Sequence, residues 1–146
     1  MFSEWVQKRF DKFLEREADQ KQKSLWQTNA AEMFDAMFDR LKKQVLDDVA
    51  QYNNLFREHQ QCLIEFRNGQ TNQFQVASKS GLVLVGKGSG TVINIMYNIY
   101  ATRQEEHDSL EVVADFQNNG EVKFKNHVAL SNSVEASERI LSKIIC

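Results

Sequence analysis

"GLVLVGKGSGTVINIMYNIY", residues 81–100, decides how this chain is read. Gly86, Gly88 and Gly90 alternate with Lys87 and Ser89. Such a run suits a phosphate cradle or a turn between strands. A dinucleotide fingerprint needs G-x-G-x-x-G where a strand enters a helix, and a P-loop needs four residues between its first glycine and Gly-Lys-Ser/Thr. The spacing here is G-x-G-x-G, which fits neither. The following residues weigh more. Thr91 to Ala101 is rich in β-branched side chains and alternates, with Ile93, Ile95, Tyr97 and Ile99 on one side and Asn94, Met96, Asn98 and Tyr100 on the other. That pattern predicts a strand. An anion site of this type draws on the amides of a helix start, so without the helix it loses its mechanism. A kinase glycine loop does lie between strands, but the catalytic and magnesium-binding signatures that accompany it are absent. The stretch reads as a glycine-rich hairpin or bulged corner in a curved sheet. An anion contact at Lys87 and Ser89 is the lesser reading.

The two-residue period extends in both directions. Upstream, Cys62, Ile64 and Phe66 alternate with Leu63, Glu65 and Arg67, "NG" at 68–69 signals a type I′ hairpin, and Phe74 and Val76 share a face. Leu82 to Val85 is a short apolar strand. Downstream, Leu110, Val112, Ala114 and Phe116 form an inward set, and "NNG" at 118–120 turns the chain into Val122 and Phe124. The expectation is a six-stranded antiparallel meander, apolar on one face. A closing helix begins at Asn132, with Glu135 completing a capping box, and carries Val134, Ser137, Ile140, Leu141, Ile144 and Ile145 as its stripe.

Before residue 60 the period is helical. Phe2, Trp5, Val6, Phe10, Phe13 and Leu14 recur at spacings of three and four. The polar run 19–24 is a bend, a loop or an exposed part of a continuous helix. A second helix is expected from Asn29 as cap with Glu32 reaching back, and its seam runs through Met33, Phe34, Met37, Phe38, Leu41, Val45, Val49, Tyr52, Leu55 and Phe56. A helix over 30–58 spans roughly 40 Å, longer than a compact domain of this size needs, so part of the seam is expected to cover the sheet and part to meet the first helix or a second subunit. The absence of proline leaves nothing to break it.

The fold expected is therefore α+β: residues 1–60 as a helical segment (a hairpin or a long helix pair), and 61–146 as the antiparallel sheet with a C-terminal helix packed on it, the two forming one unit. This order of elements is similar to helix-grip lipid and small-ligand binders lacking their first strand. The run of strands ending in a helix is also similar to pleckstrin-homology-type modules. Both likenesses concern architecture and imply no function by themselves.

Composition excludes several classes. Net charge is −2, with 10 Lys and Arg against 11 Asp and Glu over residues 1–60 and 8 against 9 over 61–146. Neither half has the basic excess of a nucleic-acid or anionic-surface binder. No apolar run is long enough for a transmembrane helix. The charged start lacks the apolar centre of a signal peptide, so the cytoplasm is the expected compartment. Two cysteines are too few for a disulfide framework; Cys62 reads as a small buried hydrophobe and Cys146 as an exposed thiol.

No catalytic residue, metal ligand set or cofactor site stands out. His59, His107 and His127 have no partner at ligand spacing, and "EEHD" at 105–108 reads as a solvated loop. The functional expectation is a non-catalytic protein-interaction or self-association module. It acts through the helices, with Phe2, Trp5, Phe10, Phe13, Phe34 and Phe38 as contact residues. The alternative is a small-molecule or lipid binder whose pocket lies between sheet and helices, lined by Asn94, Asn98 and Tyr100 or by Ile93, Ile95 and Tyr97.

Overall fold

The computed structural model describes residues 3–127 and 129–146. Helix α1 (Glu4–Glu32) and helix α2 (Phe34–Leu55) are separated by one residue, Met33, whose backbone stays right-handed helical (φ −88°, ψ −1°). Asn29 does not cap a second helix. The chain is already helical there, and the Asn29 carbonyl accepts a hydrogen bond from the Met33 N–H (3.0 Å). Asn29 lies inside α1, where its carbonyl already serves that helix's ladder, so no helix start is there for it to cap. Residues 19–24 are the exposed, continuous part of α1.

A 3₁₀ turn (Gln60–Cys62) leads into the sheet, where alternating strand had been expected. The strands are β1 (Glu65–Asn68), β2 (Gln73–Ala77), β3 (Gly81–Lys87), β4 (Val92–Ile99), β5 (Gln104–Asp115), β6 (Glu121–Asn126) and β7 (Ala129–Ser131), followed by helix α3 (Ser133–Leu141). They form one antiparallel meander in sequence order. The sheet has seven strands, not six; β7 is only three residues long and carries no alternation to betray it. The β1–β2 connection is a hairpin, but neither Asn68 nor Gly69 takes a positive φ, so its turn is not type I′. The expectation for "NNG" is met: Asn119 (φ 55°) and Gly120 (φ 74°) both enter the left-handed region.

Spacing sets the core. In α2, Phe34, Met37, Phe38, Leu41, Val45 and Val49 lie on one side of the helix and all are buried. They cover the inward positions of the strands: Phe74 and Val76, Val83 and Val85, Ile93, Ile95 and Tyr97, Leu110 and Val112, and Phe124. Each large side chain fully removed from water contributes about 1.5–3 kcal/mol. Helix α3 packs beside α2 through Ala136, Ile140 and Leu141, with Ile144 just beyond its end. Its cap is as expected: the Asn132 side chain accepts from the Glu135 N–H (2.9 Å). Val134 is exposed and lies off the buried stripe.

Polar contacts lock the layers. The buried Ser137 hydroxyl donates to Asp48 Oδ2 (2.6 Å), joining α3 to α2. The Tyr97 hydroxyl donates to the Arg139 carbonyl (3.2 Å), and burial, reinforced by the nearby Asp108 carboxylate, pushes its pKa above the usual phenol range. Cys62 and Cys146 are not free thiols. They form a disulfide across 84 positions, which ties the last residue to the turn after α2. In the same region the Asn53 side chain donates to the Ile64 carbonyl (2.7 Å) and accepts from its N–H (2.9 Å).

The segment "EEHD" lies within β5 and is not a loop. Strand alternation sends Glu106 and Asp108 to the helical side, where Lys143 reaches Glu106 (2.6 Å) and Arg139 reaches Asp108 (2.9 Å). Cationic partners from another element allow a run this polar to sit in a sheet.

Candidate functional site: the α1 arm and the open edge of β5

The glycine stretch is resolved first. Gly90 takes φ 64° at the turn of the β3–β4 hairpin. Lys87 is held by α2: its Nζ lies 2.9 Å from Asp35 Oδ1 and 5.3 Å from the Phe38 ring centroid. Ser89 is exposed.

The body of the domain grips α1 only near its end. Trp26 stacks on Phe116 with centroids 4.9 Å apart, and its indole lies against Gly120. Phe116, expected on the inward face, has left the strand to make this stack and remains 45% exposed. Ala30 is buried, and α1 gives way to α2 at Met33. Residues 4–22 stand clear of the body, all of them exposed, as roughly 29 Å of helix at 1.5 Å per residue. Along this arm Trp5, Val6, Phe10, Phe13 and Leu14 form a continuous apolar stripe, between 37 and 68% exposed. The polar side carries only local pairs, Glu4 with Lys8 (3.5 Å) and Glu17 with Lys21 (3.9 Å), each worth a few tenths of a kcal/mol. Arg9, Lys12 and Arg16 follow one margin of the stripe at helical spacing and form no ion pair within the described residues.

The expected contact residues therefore separate. Trp5, Phe10 and Phe13 lie on the exposed arm, Phe34 and Phe38 are core residues beneath the sheet, and Phe2 lies outside the described residues. Asn94 and Asn98 are exposed on the sheet face away from the helices, Tyr100 is exposed in the turn after β4, and Ile93, Ile95 and Tyr97 are buried in the core shared with α2 and α3.

A concavity lies elsewhere, without a sequence signal. It is a groove of about 670 Å³ beside the end of β5, bounded by Gln27 and Ala30 of α1, Thr91 of the glycine turn, and Phe116, Gln117 and Leu130. Asp115 anchors its wall. A hydrogen bond from Lys123 (3.1 Å) holds its carboxyl below the usual range against the opposing effect of burial, and the Gln117 N–H (3.1 Å) adds to this. The Asp115 carbonyl accepts from Asn118 and Gly120, so one residue organises the whole β5–β6 turn.

Among the described residues no group of three His, Cys, Asp or Glu side chains is placed to hold a metal ion, and no helix is long and apolar enough to cross a membrane. His107 pairs loosely with Glu105 (3.7 Å) on the outer face of the sheet. No protein-family description, curated protein or solved structure matches the chain significantly.

Proposed function

We propose that this chain is a non-catalytic interaction module whose α1 arm binds a partner protein or a second copy of the chain. One observation carries the proposal: five large apolar side chains, from Trp5 to Leu14, are aligned on a helix that its own domain leaves uncovered. A patch of that kind on a folded domain marks a surface that is covered in use. Amphipathic helices engage partners through anchors spaced three, four and seven apart, and Val6, Phe10 and Phe13 have that spacing. Sedimentation velocity over a wide concentration range tests the self-association branch. The full chain is expected to associate and a Trp5→Ser/Phe10→Ser/Phe13→Ser variant to stay monomeric. A strict monomer that also gains no solubility from those changes would argue against the arm as an interface.

A small-molecule or lipid binder is the second reading, and the groove beside β5 is what favours it. Its volume falls in the range of ligand sites, roughly 300–1,000 Å³. Native mass spectrometry of freshly purified chain is expected to show a carried-over mass under this reading. The disulfide bears on location. Such bonds persist in oxidising compartments and are rare in the cytosol, so Cys62–Cys146 pulls against the cytoplasmic location expected from the sequence. Alkylating the chain directly in lysed native cells distinguishes the two, because only free thiols take the label.

A further inference from the structure

The lengths of β4 and β5 do not match. Pairing between them stops at Val92 opposite Glu111, with one further bond from the Val112 N–H to the Thr91 carbonyl (2.8 Å). Beyond that point the glycine turn takes the chain back to β3, while β5 continues to Asp115. On its other side β5 stays paired with β6 as far as Asp115 opposite Glu121. In a strand, alternate residues direct their N–H and C=O to the same side. Since Val112 points toward β4, Ala114 points the same way, and no strand lies opposite it. Ala114 is 7% exposed, and its N–H and C=O form no backbone hydrogen bond on that side among the described residues. A buried N–H or C=O without a partner is costly, and supplying one is favourable.

The groove lies in this empty lane. Its remaining polar groups suit the same guest. Gln27 and Gln117 line the groove, their side-chain amides form no hydrogen bond among the described residues, and each offers both a donor and an acceptor. Ala30, Val113 and Leu130 supply apolar surface for alternate side chains. Glu111 and Lys125, cross-strand neighbours at the margin, are unpaired in the described ion pairs and can each meet an opposite charge on the guest.

We propose that the open edge of β5 is a docking site for an extended peptide segment of a partner protein, which adds as a short strand in line with β4. Main-chain hydrogen bonds to Ala114 fix the peptide, and the side chains bordering the lane select its sequence. This site is separate from the α1 stripe and does not depend on the reading of that stripe.

The test is selection of a randomised hexapeptide library against the full-length chain, followed by amide hydrogen exchange on the complexes. The expected result is an enriched set whose binding slows exchange of the Ala114 amide by about tenfold or more. Methylating the peptide nitrogens at alternate positions should abolish binding in one phase of alternation and leave it intact in the other. Protection confined to residues 4–22 would show that the peptides bind the α1 stripe, and would overturn the edge site while sparing the proposal for the arm. Binding at the groove that ignores N-methylation would assign it to a small apolar ligand and overturn the strand. Failure to enrich any peptide would also overturn it.

Discussion

The indole of Trp26 rests on the bare Cα of Gly120. A Cβ at that position would stand 2.6 Å from Trp26 Nε1, and the glycine's φ is 74°. Both facts exclude a side chain. Gly120→Ala is expected to cost about 1–3 kcal/mol, since it adds strain at positive φ to a clash that only moving α1 relieves. Urea unfolding measures the loss, and a change in tryptophan emission reports displacement of Trp26.

The phenylalanines of the two helices should behave oppositely although their spacing is alike. Phe38→Ala is expected to cost about 3–5 kcal/mol, because Phe38 is fully buried and packs on Phe74 (centroids 5.7 Å apart). Phe10→Ser and Phe13→Ser are expected to stay within about 0.5 kcal/mol of the parent, as changes at uncovered positions do. Thermal denaturation of the three variants under dilute conditions compares them directly.

Reducing the disulfide should loosen one end of the molecule. Closing a separation of 84 residues restricts the unfolded chain by about 4–5 kcal/mol on the loop-entropy relation. Guanidinium titrations with and without a reductant should therefore show a lower midpoint when reduced. A Cys62→Ser/Cys146→Ser variant should match the reduced protein and no longer respond to reductant.

Protonating Asp115 should release the β5–β6 turn. The folded pKa of Asp115 lies below its ordinary value of 3.8, chiefly because Lys123 donates to it. The unfolded chain therefore takes up this proton first as pH falls, so the stabilisation is complete above about 3.8 and is lost as pH drops through the lower folded value. Amide exchange at Gln117, Asn118 and Gly120 should accelerate in that window. In Lys123→Met the acceleration should begin at higher pH.

The period of the sequence was a sound guide wherever a single face is buried. It located the meander from Phe66 to Phe124 and the buried face of α2, because burial of one side imposes the spacing directly. Spacing does not say whether a stripe is covered, so Phe10 and Phe38 looked equivalent although one is exposed and the other is core. Charge misled at 105–108, where strand residues are neutralised by Arg139 and Lys143 from more than thirty positions away. The disulfide was hidden for the same reason: Cys62 and Cys146 meet only once α3 has packed beside α2. The groove has no sequence signature, since it arises from β5 outrunning β4, a difference of lengths and not of residue types.

Met33 gives the arm a mechanical character. Its backbone takes φ −88° and ψ −1°, and its carbonyl accepts from the Met37 N–H (2.8 Å), so a single residue joins α1 to the helix that covers the sheet. Trp26 on Gly120 acts as a fulcrum, and the stretch beyond it is a lever. A load applied at Trp5 is expected to reach α2 and the β5–β6 corner as torque, through Met33 and the Trp26 contacts.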